Sequence, residues 1–199
     1  QGLAALQSAG IPARKIRPPG ELGRVEHWNW LHHQSSATWL KPLFAGDWLE
    51  PTYFSRVREM AAHPDCRYVV VSYILRRTDQ PDQIIGNAWA APFRTPAEMQ
   101  QTVLRCGMQF GPPSAAAYER TAFFALGGYP AALPIVADSL FYCTMAARFG
   151  VAISAEPLCG FNIHNARFFI MWPVRRLYTL RQTLTYFWLV GYHAWTLQY

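Results

Sequence analysis

Apolar positions along the chain switch between two periods, and the switching predicts its elements. Arg67 to Leu75 (RYVVVSYIL) is a run of β-branched and aromatic residues that predicts a strand. Trp39 to Phe44 is a second apolar run and predicts a buried strand. Ala13 to Arg17, Val151 to Ala155 and Leu158 to Ile163 predict shorter ones. Elsewhere the apolar spacing becomes helical. Arg24 to Gln34 sets Val25, Trp28 and Leu31 on one helix face. A helix from about Pro51 to His63 aligns Phe54, Val57 and Ala61, with Pro51 at the favoured first position. Thr95-Pro-Ala-Glu98 is a capping box opening a helix to about Cys106. Glu119 to Leu126 predicts a short helix stopped by Gly127 and Gly128. Asp138 to Phe149 predicts another, stopped by Gly150. Asp79-Gln-Pro-Asp82 and Gly111-Pro-Pro-Ser114 read as loops. Strands alternating with helices predict an α/β fold with a largely parallel or mixed sheet.

The tail differs. Pro173 opens a predicted helix whose formal charges are Arg175, Arg176 and Arg181, and Thr183 to Tyr199 is uncharged apart from His193. That aromatic stretch is short for a membrane span of about 20 residues. It reads either as a basic, amphipathic segment lying in a membrane interface or as a helix packed on the core or on another protomer. The expected organisation is therefore residues 1–170 as one domain and 171–199 as a basic, aromatic helix.

At 199 residues the chain is long enough to bury one real core. It is 51% apolar and 15% charged, with eight Trp, ten Tyr and twelve Phe, which excludes disorder. The net charge of +6 is compatible with nucleic acid, anionic lipid or a phosphorylated small ligand. No helix-turn-helix, zinc-finger or RNA-binding aromatic pattern is present, so nucleic acid is not expected as a partner. The four cysteines form no C-x-x-C pair and read as thiols of a reducing compartment. With no signal peptide at the N-terminus, a cytoplasmic protein is expected, with peripheral membrane contact through the tail. Gly2 to Gly10 resembles the last turns of a helix, so the chain is expected to be an excised portion of a larger protein.

The candidate chemistry centres on Asp47. It follows the apolar run Trp39–Phe44 in a small-residue turn, Ala45-Gly46-Asp47. An acid on a tight turn at the end of an α/β strand is where ligands commonly bind. The same residue type also simply caps turns and helices. Trp28 and Trp89 are able to stack on a sugar face, although Trp more commonly serves packing. His32 and His33 are helix neighbours that point apart, which argues against a shared metal.

The order of pieces resembles the family 2 glycosyltransferases. Glu21-Leu-Gly-Arg-Val-Glu-His27-Trp28-Asn29 precedes the Asp47 strand. Gly111-Pro112-Pro113-Ser114 leads to Tyr118-Glu-Arg120 and Leu126-Gly-Gly-Tyr-Pro130, and Ala137-Asp138 and His164 follow. The resemblance spans about residues 3–168 and implies a GT-A fold, a mixed sheet flanked by helices that here lacks its first strands. The chain corresponds to about the later two-thirds of that domain. By resemblance Asp47 is the last acid of an Asp-x-Asp motif that holds Mn²⁺ or Mg²⁺ on a nucleotide-sugar donor; the first acid is Ala45 here. Asp138 matches the base that deprotonates the acceptor, although the Glu before it is Ala137. His164 matches a residue near the metal, and Gly111 to Ser114 match the acceptor loop. The implied activity is an inverting sugar transfer to a saccharide or lipid-linked acceptor, as in cell-surface polysaccharide or glycolipid synthesis. The alternative, set by Ala45 and Ala137, is a non-catalytic relative serving as a binding or assembly module at a membrane.

Overall fold

The computed structural model describes residues 8, 10, 12–86, 92–106, 111–134 and 136–163. The predicted C-terminal helix, Trp89 and His164 lie outside the described residues.

Among the described residues, seven strands form one mixed sheet: β1 (Trp39–Leu40), β2 (Trp48–Leu49), β3 (Tyr68–Arg77), β4 (Gln80–Ile85), β5 (Phe93–Arg94), β6 (Ala116–Glu119) and β7 (Val151–Ile163). The path runs β1-β6-β3-β7-β2, with β4 on β3 and β5 on β7. β3 and β7 are parallel, and every other pairing is antiparallel. The helices are α1 (Arg24–His33), α2 (Tyr53–Ala61), α3 (Pro96–Cys106), α4 (Arg120–Ala125) and α5 (Ala137–Phe149).

The unbroken apolar run of β3 follows from burial on both faces. Tyr68 and Val70 enter one core cluster with Tyr118, Phe123, Phe141 and Met145. Val69 and Val71 enter the other with Tyr53, Val57 and Leu158. Strand period 2 divides neighbours between the two layers.

Several expectations are corrected. Residues 13–17 form no strand. The apolar run at Trp39 is a strand for two residues only, and residues 41–44 continue as irregular chain. Pro51 lies in the turn before α2, whose first residue is Tyr53. Tyr53 is fully buried there, whereas Phe54 is 63% exposed. Asp79-Gln-Pro-Asp82 is not a loop throughout: the chain turns at Thr78-Asp79 and returns as β4, exposed along its length. An outer strand tolerates Pro81 because its outward N–H position needs no partner. The two strands expected after Gly150 are one, β7, with register shifts against Val71, Ser72 and Tyr73; the Ser72 hydroxyl donates to the Ser154 carbonyl at 3.0 Å there. The capping box forms as expected: the Thr95 N–H donates to Glu98 Oε2 at 2.8 Å and the Glu98 N–H to Thr95 Oγ1 at 3.4 Å.

Candidate functional site

The Asp47 turn is built locally. The Asp47 N–H donates to the Phe44 carbonyl at 3.1 Å, closing a four-residue turn. Gly46, third in that turn, has φ +94°, a conformation that side chains with a Cβ rarely adopt. Asp47 caps no helix, since the residue preceding α2 is Thr52. Its carboxylate instead joins three segments. Oδ2 accepts from the hydroxyl of Ser114, and Oδ1 accepts weakly from the Asn162 N–H at 3.4 Å. The Asn162 amide donates to the Gly46 carbonyl. The turn, the Gly111–Ser114 loop and the end of β7 thus meet.

Ser114 is fully buried and is the middle residue of a one-turn 3₁₀ segment, Pro113–Ala115, entered from the extended Pro112. Lys41 binds the same loop from below: its Nζ donates to the Ser114 carbonyl at 2.5 Å and to the Pro42 carbonyl at 2.7 Å. The ammonium also sits 5.0 Å from the centre of the Tyr53 ring. Burial pushes the Lys41 pKa down to about 8, only partly offset by Cys159 and Asp47. Burial likewise pushes the Cys159 thiol up to about 12, so it is neutral near pH 7.

A cavity of about 500 Å³ opens between α1 and the chain from Trp39 to Phe44, within the size range of small-molecule sites. Trp28, Trp39, Lys41, Phe44 and Tyr129 are among its walls. Trp28 packs against Phe44, centroids 5.0 Å apart, and edge-on to Tyr129 at 5.6 Å. The Arg24 guanidinium covers the indole at 5.1 Å. Behind this wall a ladder of hydroxyls runs inward. His32 Nε2 bonds the Tyr118 hydroxyl at 2.6 Å, Tyr118 bonds Tyr129 at 2.7 Å, and Tyr129 bonds Tyr142 at 3.2 Å.

Asp138 lies in the first turn of α5, half-buried. Its Oδ1 accepts from the Ser139 N–H at 2.8 Å and more weakly from the Ser139 hydroxyl at 3.4 Å. Burial raises its carboxyl above the ordinary range, opposed by those bonds and by the charge of Arg24.

Of the sequence candidates, the structure brings Asp47 and Ser114 into direct contact, with Gly111, Pro112 and Pro113 forming the loop that carries Ser114. Trp28 stands across the cavity against Phe44. Asp138 is not among the residues lining that cavity; it is coupled electrostatically to Tyr129 and Arg24, and its hydrogen bonds go to Ser139. Lys41 and Asn162 escaped the sequence reading. Lys41 had a signal, a cation inside an otherwise apolar run; Asn162 had none.

The divalent metal expected at Asp47 would meet a single carboxylate in this turn. Asp47 is the one carboxylate in the turn, both its oxygens already accept hydrogen bonds, and the Lys41 ammonium acts on it electrostatically. Among the described residues no group of three or more His, Cys, Asp or Glu is placed to hold a metal. A dication at this turn would therefore take most of its oxygen donors from donor phosphates and water.

No family model matches the chain, and a search of curated proteins finds no match. Solved structures do. The chain's fold is similar to that of S. aureus TarS. The TarS 1-349 structure in complex with UDP-GlcNAc superposes with a TM-score of 0.56 at 10% identity, over 73% of this chain and 40% of that one. The complex with UDP gives 0.54 at 11%, over 71% and 40%. The chain thus spans about two-fifths of the TarS structures, and the likeness is one of fold, shared with part of a glycosyltransferase. Among the described residues no helix is long and apolar enough to cross a membrane.

Proposed function

We propose that this chain carries the later part of a glycosyltransferase domain that moves a sugar from a nucleotide-diphosphate donor to an acceptor hydroxyl. The observation that supports this best is the convergence of the Asp47 turn, the Ser114 loop and the end of β7 beside an aromatic-walled cavity, in a fold similar to that of a protein solved with UDP-GlcNAc. In the finer reading, the site is of the family 2, GT-A type and inverts the sugar in one displacement. The acceptor O–H gives its proton to the Asp138 carboxylate. The acceptor oxygen then bonds to the anomeric carbon as the bond from that carbon to the diphosphate breaks, and the nucleoside diphosphate leaves with the electron pair. Trp28 and the Gly111–Ser114 loop frame donor and acceptor. The acceptor is a saccharide or a lipid-linked one, the latter reached through peripheral membrane contact.

Thermal melting of the purified protein with UDP, GDP, dTDP or CDP tests the reading. One nucleotide is expected to raise Tm, and an Asp47→Asn variant is expected to lose that rise, because the neutral side chain no longer anchors Ser114 in the same way. A folded protein indifferent to all four would favour the non-catalytic alternative marked by Ala45 and Ala137.

A further inference from the structure

The ammonium of Lys41 lies beside the Ser114 loop, 5.0 Å from the centre of the Tyr53 ring. Ion pairs occupy Arg56, Arg67, Arg76 and Arg94. Arg24 is stacked on Trp28 and donates to the Pro134 carbonyl, and Arg120 donates to the Ser35 carbonyl and covers the Phe124 ring at 4.7 Å. Lys41 is half-buried and takes part in no ion pair among the described residues. Two of its three N–H groups go to neutral carbonyls, Ser114 and Pro42. The third has no hydrogen-bond acceptor among the described residues.

A cation held this way is expensive. Removing a charge from water is unfavourable unless an opposite charge meets it. If the side chain served only to tie two carbonyls together, a neutral donor would do so at lower cost. The opposite charge nearest in effect is Asp47, which acts on Lys41 through space and is itself engaged by Ser114 and Asn162. Lys41 is also among the residues that line the cavity.

Two absences sit at the same place. Ala45 stands where the resembling family carries the first metal-holding acid, and among the described residues no group of three or more His, Cys, Asp or Glu is placed to hold a metal. A transferase site still has to balance the charge that develops on a departing diphosphate, and a fixed cation does this as a metal does. Lysine serves as a point charge on phosphate.

We propose that Lys41 binds the diphosphate of the donor directly and supplies the positive charge that a divalent metal would otherwise bring. The inference rests on the transferase reading and deepens it: the ligand class is a nucleoside diphosphate, taken without metal. The bond from the anomeric carbon breaks toward a phosphate oxygen, and the new negative charge on that oxygen is met by the Lys41 ammonium, with no proton transfer required.

Calorimetric titration of the purified protein with UDP, GDP, dTDP and CDP, each in EDTA and again with Mn²⁺, tests this. One nucleotide is expected to bind in EDTA, with affinity little changed by Mn²⁺. Lys41→Met is expected to weaken that binding about 10- to 100-fold, the loss typical of one hydrogen bond to a charged group. Lys41→Arg keeps the charge and is expected to retain most of the affinity. Lys41→Gln keeps donors for the two carbonyls without the charge; it is expected to fold as the parent does, yet to bind as weakly as the Met variant. Full affinity in Lys41→Gln would reduce Lys41 to a structural tie and overturn the proposal. Binding that vanishes in EDTA and returns with Mn²⁺ would overturn it too, while leaving the transferase reading intact. No binding of any nucleotide under either condition would overturn both.

Discussion

Replacing Asp138 with Asn is expected to lower sugar transfer by about 10²- to 10⁴-fold, the usual contribution of a positioned general base. The expectation follows from where α5 places the carboxylate. Burial pushes its pKa up, and the bonds from Ser139 with the charge of Arg24 hold that rise in check. A carboxylate raised in this way is a stronger base. Transfer by the parent should therefore rise with pH through a value above the ordinary carboxylate range and then level off. The stability linkage runs in the opposite direction. The folded protein keeps the Asp138 proton over a window where the unfolded chain has lost it. That contribution is complete below the ordinary carboxylate pKa of about 3.9 and is lost as pH rises through the folded value. Asparagine carries no charge to bury, and its Oδ1 is able to keep the bond from the Ser139 N–H. The variant should thus melt no lower than the parent at neutral pH. Unchanged transfer by a folded Asp138→Asn protein would remove this residue from the mechanism.

The largest effect on stability is expected at Gly150, where α5 hands over to β7. Its φ is +72°, and an added Cβ would lie 2.4 Å from the Arg94 carbonyl oxygen and 3.0 Å from the Phe93 ring. Arg94 pairs with Val151, the next residue, so that oxygen is fixed by the sheet. Left-handed backbone costs a residue with a Cβ about 1–2 kcal/mol, and displacing a packed backbone about 1–3 more. Gly150→Ala should therefore lose about 2–5 kcal/mol and melt about 10 °C lower. Gly127→Ala is the control. Its φ is +76°, but nothing lies within 4 Å of its added Cβ, so only the conformational part is expected. Equal melting of the two variants would show that the close approach to β5 does not matter.

The sequence disclosed most where a local rule had no competitor. Thr95 and Glu98 form their box because both partners lie within one turn. Gly127, Gly128 and Gly150 end helices because each adopts positive φ. The β3 run reads as a strand because it is buried on both faces. The reading failed where long-range pairing decided. β4 looks like a loop because its residues are polar and include Pro81, yet β3 gives it a partner. β7 looks like two strands because Glu156-Pro157 interrupts its apolar run, where the register against β3 shifts. Trp39 to Phe44 looks like one strand, but β6 pairs with only its first two residues before Lys41 and Pro42 turn away. At the site, Asp47 and the Gly111–Ser114 loop were legible as separate motifs. That they share a hydrogen bond was not, because Asp47 and Ser114 are 67 positions apart in the chain.

The buried hydroxyl ladder has a consequence for how this protein meets alkali. Tyr118, Tyr129 and Tyr142 bond one another in the core, and burial holds their pKa values above the ordinary tyrosine range, as it does for Tyr53 and Tyr68. None of these phenols gives up its proton while the core is closed, whereas in the unfolded chain each would do so near pH 10. Above that pH each one draws the chain toward the unfolded state. Tyrosinate absorbance should accordingly appear in two stages, first from exposed rings and then in one abrupt step when the core opens. The fold thereby carries its own optical marker for its collapse in base, with no label attached.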